Sequence, residues 1–176
     1  MKRGGSAMLM SFLNAIDRLS AWTGKWVAWV IIPNVLALVY EVVARYFFNS
    51  PTIWSYEVTY FLYGSHFLLG AAYVLSVDAH IRIDILTSRL SPRTRARIDL
   101  AGYLILFFPV ILTLIIAGAQ YVTQSFEMGE QSGLSPWRPY LYPYKAVIAT
   151  SFLLLFLQGV ASFIRNIRFL AQGGKP

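Results

Sequence analysis

Three ionisable residues flank a short polar connection between two long apolar stretches of the chain. Glu41 and Arg45 are four residues apart with the acid first, the favoured order for an ion pair on one helical face. Glu57 lies one helical turn after Trp54, in the next apolar stretch. Because a transport or proton-relay carboxylate more often lies near mid-membrane, we predict that Glu41, Arg45 and Glu57 form a partly solvated structural cluster. The alternatives are a substrate path within this chain and contact with a partner subunit.

Other reactive residue types are sparse. The chain has no cysteine, so thiolate catalysis and cysteine-based metal sites are excluded. The two histidines, His66 and His80, would lie about 21 Å apart along a helix, which argues against a haem held by histidines on facing spans. His66 is predicted to be a hydrogen-bonded packing residue. Since no H-E-x-x-H, phosphate-binding glycine loop or G-x-S-x-G occurs, we predict no enzyme activity, no cofactor and no metal.

These residues are set among four long apolar stretches. Hydrophobic residues make up 57% of the chain and charged residues 13%, which is about half the charged share of a soluble domain. About 20 apolar residues in a helix cross a ~30 Å hydrocarbon layer, and backbone groups in lipid must bond internally. The predicted fold class is therefore all-α integral membrane with four transmembrane helices. The predicted spans cover about residues 22–44, 54–77, 99–125 and 143–164.

The basic residues predict the orientation. Lysine and arginine accumulate at the cytoplasmic ends of spans, and of the 15 in the chain only Arg45, Arg138 and Lys145 fall on the side opposite to the termini and the middle loop. We therefore predict that both termini are cytoplasmic (N-in, C-in). A cleaved signal peptide is less favoured, because the first apolar run begins late and is long enough to span. The predicted organisation is a cytoplasmic N-terminus 1–21, a four-helix membrane domain 22–168 and a cytoplasmic tail 169–176.

The N-terminal segment has the pattern of an amphipathic helix. Its apolar residues recur at helical spacing, at Leu9, Phe12, Leu13, Ile16 and Leu19. This pattern predicts a helix in the cytoplasmic interface, or one docked on a partner. Three tryptophans follow, at Trp22, Trp26 and Trp29, and are predicted at headgroup depth.

Helix signals and surface patterns continue beyond the second span. Ser91 and Pro92 are predicted to be the N-cap and first residue of a helix that leads into the third span. The basic segment from Arg89 to Arg97 suits anionic lipid headgroups better than nucleic acid. Residues 125–142 are predicted to form an irregular external segment. Small and polar residues share faces of the later spans, a pattern typical of helix packing, so we infer a partner in the membrane.

The first hairpin resembles a known family. The segment Arg45-Tyr46-Phe47-Phe48-Asn49-Ser50-Pro51-Thr52-Ile53-Trp54, followed by Glu57, resembles the R-Y-x-F-N-x-P…W-x-x-E signature of DctQ-like proteins. These are the small membrane subunits (Q subunits) of tripartite ATP-independent periplasmic (TRAP) transporters. Gly70-Ala71-Ala72 resembles the family's G-A-A element, and His80-Ile81-Arg82-Ile83-Asp84 resembles its H-V-x-V-D element. Tyr56 departs from the pattern, because many members carry a second acid there.

The resemblance implies a division of labour. A periplasmic solute-binding protein would capture an organic acid, and a large membrane subunit (M subunit) would carry it inward with sodium. This chain would be the non-catalytic small permease subunit of the bacterial inner membrane, which scaffolds the large subunit and helps dock the binding protein. The motif residues would then be structural or lie at subunit interfaces: Arg45, Tyr46, Asn49, Pro51, Trp54, Glu57, Gly70, His80 and Asp84. The alternatives are a self-sufficient four-helix exporter and a membrane anchor subunit of a redox complex.

Overall fold

A computed structural model describes residues 2–77 and 90–172 of the chain, with side chains from residue 7 onward. All regular elements in these ranges are helical. They are α1 (Lys2–Ala28), α2 (Ile31–Phe47), α3 (Ser55–Ser76), α4 (Pro92–Gly102), a π-helical turn (Tyr103–Phe107), α5 (Phe108–Glu127) and α6 (Tyr142–Ala171). Four stretches are long and apolar enough to cross a membrane: Ala7–Phe47, Ser55–Ser76, Pro92–Glu127 and Tyr142–Ala171. The predictions of an all-helical chain and of four apolar helices are confirmed.

The first of these stretches is broken at Trp29 and Val30. Pro33 has no backbone N–H, so the Trp29 carbonyl cannot accept the usual bond from four residues on. It accepts instead from the N–H of Ile32 at 3.1 Å, and the N–H groups of Trp29 and Val30 bond to carbonyls three residues back. A tight turn therefore separates α1 from α2. The segment predicted to be amphipathic continues without a break past residue 21 as far as Ala28.

The third stretch contains a second irregularity. Ser91 caps α4 by accepting a hydrogen bond from the Thr94 N–H at 3.3 Å, and Pro92 occupies the first turn, so the predicted helix start is confirmed. Further along, the Phe108 N–H bonds to the Tyr103 carbonyl, five residues back. Pro109 follows and donates no hydrogen bond of its own, which favours this local widening of the helix.

α1, α3 and α6 pack against one another, and α2 and α5 lie at the edges of this group. α3 packs against α1, α2 and α6, while α5 packs against α6. In the described part of the chain, α2 forms no extensive contact with α5 or α6, and α3 forms none with α5. The two edge helices, α2 and α5, therefore leave much of their apolar surface uncovered.

The N-terminal half of α1 packs against the C-terminal half of α6. Leu13 and Ile16 are buried against Ala161. Next to them, the amide of Gln158 donates to Asp17 at 3.0 Å and accepts from the Ser20 hydroxyl at 2.8 Å, and Arg165 forms an ion pair with Asp17. Only part of the predicted apolar face is therefore buried. Leu13 and Ile16 are covered, whereas Phe12 and Leu19 remain exposed.

Candidate functional site

The connection between α2 and α3 folds back along α2 and is held by Glu41. One carboxylate oxygen of Glu41 accepts from the Arg45 guanidinium, from Nε at 2.9 Å and from Nη2 at 2.5 Å. The other oxygen accepts from the Thr52 N–H at 2.9 Å and from the Thr52 hydroxyl. Both oxygens are therefore satisfied by their own hairpin. A carboxylate engaged in this way stabilises a turn and has no free oxygen for a substrate or an ion.

Two motif residues near Glu41, Asn49 and Trp54, stabilise the structure of the hairpin. Asn49 adopts the left-handed backbone conformation (φ 49°), which asparagine tolerates better than most residues. Trp54 stacks on Tyr40 with 5.8 Å between the ring centroids. Tyr46 and Pro51, in contrast, are exposed at the tip of the hairpin and make no packing contribution that would explain their presence in the motif.

Glu57 contacts the connection between α5 and α6 and not the hairpin that holds Glu41. Its side chain is fully buried, and its Oε1 atom accepts from the Ser135 hydroxyl at 2.5 Å. Its Oε2 atom is also buried and has no hydrogen-bond partner among the described residues. Glu57 forms no hydrogen bond to Glu41 or Arg45 in these ranges. The structure therefore brings Glu41 and Arg45 together and places Glu57 against the second connection at the same end of the molecule.

That second connection, residues 128–141, has an ordered fold of its own. Gln131 and Tyr140 form an antiparallel bridge, and the Ser132 N–H donates to the Pro139 carbonyl at 2.8 Å. Arg138 turns the chain with a φ of 48°. The segment predicted to be irregular is thus a short hairpin-like loop. We call it the 128–141 loop.

Two side-chain contacts fasten the 128–141 loop to the spans. Ser135 binds Glu57 of α3, and Glu130 forms an ion pair with Lys145 of α6. Lys145 is only 7% exposed, and its ammonium also lies 3.5 Å from the centroid of the Tyr121 ring, a cation–π contact with α5. Ser135, Glu130 and Lys145 were not predicted as partners, because pairs this far apart in the chain leave no spacing pattern to detect.

Acidification is expected to loosen the 128–141 loop only below about pH 4.5. The hydrogen bond from Lys145 lowers the pKa of Glu130 from its ordinary value of 4.5. A carboxyl whose pKa is lower in the folded state contributes stability above its unfolded pKa, and the contribution is lost as the pH falls through the folded pKa. Amide hydrogen exchange of residues 130–141, corrected for intrinsic rates, should therefore show constant protection from pH 8 to pH 5. Protection that is already lost at pH 6 would contradict this assignment.

The remaining predicted residues are dispersed. The Nδ1 atom of His66 lies 2.9 Å from the Val27 carbonyl oxygen and ties α3 to the end of α1. A Cβ added at Gly70 would meet nothing within 4 Å, so packing inside this chain does not require glycine there. His80 and Asp84 lie outside the described residues. Within the ranges the structure covers, no group of three or more His, Asp or Glu side chains could hold a metal.

Two comparisons with known proteins bear on this arrangement. The family model for the DctQ component of tripartite ATP-independent periplasmic transporters matches residues 34–169, well over half of the chain. The sialic acid TRAP transporter permease protein SiaT of Haemophilus influenzae (strain 86-028NP) is 24% identical over 143 residues. That alignment covers 81% of this chain but 22% of the relative, so the chain spans about a fifth of the length of that permease.

Proposed function

Because the chain belongs to the DctQ component family of tripartite ATP-independent periplasmic transporters, we propose that it is a non-catalytic scaffold for a larger permease subunit. In this proposal the large subunit binds and moves an organic acid together with sodium. The small chain holds that subunit in the bacterial inner membrane and helps a periplasmic binding protein to dock. The name of the relative mentions sialic acid, but we propose no particular acid for this chain.

The observation that carries the proposal is the uncovered apolar surface of the two edge helices, α2 and α5. α2 contacts α3 but no other span extensively, and Leu36, Val39 and Tyr40 on it are each more than half exposed. Association of helices within lipid depends on close packing and on polar contacts, not on a hydrophobic drive. A bundle whose two edge helices are uncovered suits a support for another membrane protein. A self-sufficient exporter would need a carboxylate that faces an interior path, whereas Glu41 and Glu57 are both engaged by loops.

The two connections at the hairpin end support the docking role. With both termini inside, as the basic residues predict, the 48–54 connection and the 128–141 loop face the periplasm. The 128–141 loop is fastened at Glu130 and Ser135, while Leu134, Trp137 and Tyr140 on it are exposed. A fastened loop with exposed aromatic residues can bind a protein at low entropic cost, since little ordering is needed on binding. We propose that this surface contacts the binding protein.

The proposal is tested by purification and transport. A tag on this chain should co-purify a much larger multi-span permease from native membranes in a stable complex. In liposomes, the complex with its binding protein should take up substrate along a sodium gradient. This chain alone should take up none, because Glu41 and Glu57 are both held by loops. Uptake by this chain alone, at a rate similar to that of the complex, would refute the scaffold role.

A further inference from the structure

A polar cavity lies between α3, α4 and α6, at the end of the molecule opposite to the Glu41 hairpin. α3 and α4 both pack against α6 without extensive contact with each other, so they leave an opening whose floor is α6. The cavity has a volume of about 350 Å³, within the ~300–1,000 Å³ range of small-molecule sites. Its polar lining residues are Ser76, Asp99, Tyr103, Ser162, Arg165 and Asn166.

The cavity is level with the surface of the membrane. α3 has 22 residues, and at ~1.5 Å per residue this length matches a ~30 Å hydrocarbon layer. Ser76 is the last residue of α3, so the side of the cavity that Ser76 and Val77 form lies where the hydrocarbon layer ends. With both termini inside, as the basic residues predict, this is the cytoplasmic surface. A cavity at this level is next to phospholipid headgroups.

The α6 wall of the cavity has the groups that bind a phosphate. The Arg165 guanidinium forms an ion pair with Asp17 through its Nη2 atom. A guanidinium has several N–H donors in a rigid plane, so this contact orients the group and occupies only part of it. Asn166 and Ser162 add an amide and a hydroxyl to the same wall. Guanidinium, amide and hydroxyl donors are the groups with which proteins bind phosphate oxygens.

The α4 wall of the cavity carries the opposite charge. Asp99 lines this wall, and Tyr103 follows one helical turn later. A carboxylate accepts several hydrogen bonds at once, so Asp99 can accept from an ammonium in addition to the contacts that it already makes. An anionic headgroup would meet Asp99 with like charge. A headgroup with a phosphate and an ammonium instead complements both walls.

We propose that this cavity binds the headgroup of a zwitterionic phospholipid with a primary ammonium, the chemistry of phosphatidylethanolamine. Arg165, Asn166 and Ser162 bind the phosphate, and Asp99 accepts from the ammonium. The acyl chains lie in the furrow between α3 and α5, which both pack against α6 but not extensively against each other. The bound lipid joins α3 to α4 across the opening. The site is formed by this chain alone and does not depend on the proposed function.

The proposal is tested by native mass spectrometry of the full chain with equal amounts of phosphatidylethanolamine and phosphatidylglycerol. The wild type should retain phosphatidylethanolamine in preference. Asp99→Asn keeps the shape of the side chain and removes its charge, so this preference should be lost. Asn166→Leu fills the phosphate side and should weaken binding of phosphatidylethanolamine about tenfold. The matched control is Gln172→Leu, an exposed amide after the end of the same helix, which should change neither affinity nor preference.

Thermal unfolding in detergent separates lipid binding from folding. Without lipid, Asn166→Leu should unfold close to the wild-type midpoint, and added phosphatidylethanolamine should raise the midpoint of the wild type but not that of Asn166→Leu. If Asp99→Asn folds poorly, the wild-type lipid preference and Asn166→Leu still decide the question.

Three results would overturn the proposal. The first is equal retention of both lipids by the wild type. The second is a preference for phosphatidylglycerol, which would favour an anionic-lipid site that uses the arginines of α4. The third is stabilisation by soluble glycerophosphoethanolamine as large as that by the lipid, because the ligand would then be a soluble phosphate ester.

Discussion

Glu57→Ala is expected to release the 128–141 loop from α3 and to destabilise the isolated chain by about 2–3 kcal/mol. The substitution removes the acceptor of the Ser135 hydroxyl and leaves a cavity at a fully buried position. Chymotrypsin should then cut faster after Leu134 or Trp137, and the thermal midpoint in detergent should fall. Binding of the periplasmic protein should weaken as well, if the loop is its docking surface.

Glu57→Gln separates a structural role from a charge-dependent one. The amide oxygen of glutamine can still accept from Ser135, so loop protection and stability should stay close to wild type. If Glu57→Gln and Glu57→Ala lower loop protection and stability equally, the negative charge itself is required. That result would favour a role for Glu57 in ion or proton movement. Glu127→Ala is the matched control, because Glu127 is an exposed acid at the start of the same connection. It should change neither proteolysis nor stability.

Gly24→Ala and Gly70→Ala are expected to change stability in opposite directions. A Cβ on Gly24 would overlap the Cβ and Cγ atoms of Tyr73, which are too close to the α3 backbone to move aside. We expect a loss of about 1–3 kcal/mol from this overlap, offset in part by the gain in helix propensity of about 1 kcal/mol. At Gly70 a Cβ would meet nothing within 4 Å, so only the gain in propensity remains.

Thermal unfolding of the isolated chain in detergent measures both effects. Gly24→Ala should lower the midpoint and separate α1 from α3, which hydrogen exchange along α1 would detect. Gly70→Ala should leave the midpoint unchanged or raise it. Equal destabilisation by both substitutions would contradict the close packing of Gly24 against Tyr73. If Gly70→Ala weakens only the complex, the motif glycine serves the contact with the larger subunit.

The helices and their number could be predicted from local composition. Absence of charge over about 20 residues is sufficient to require a helix in lipid, and the Ser91-Pro92 start of α4 follows from two adjacent residues. The Glu41–Arg45 contact could also be predicted from local sequence, because residues four apart lie on one helical face. The break at Trp29 and Val30 has a local cause in Pro33, yet the apolar pattern continues through it, so periodicity alone did not detect it.

The tertiary contacts could not be predicted in this way. Ser135 and Glu57 are 78 residues apart, and Arg165 and Asp17 are 148 apart. No spacing rule connects such pairs, because they meet only after the spans have packed. For the same reason, Glu57 was predicted to cluster with Glu41 and Arg45, whereas the fold attaches it to the 128–141 loop.

For this protein, the sequence by itself determined which segments are helices, since burial in lipid depends on each segment's own side chains. Only the tertiary structure decided that α1 packs on both α3 and α6, that α2 and α5 are left at the edges, and that Glu57 is attached to the 128–141 loop. These features depend on which small residues allow close approach and on which polar groups find partners across the bundle. Both are properties of pairs of segments, and a single segment does not contain them.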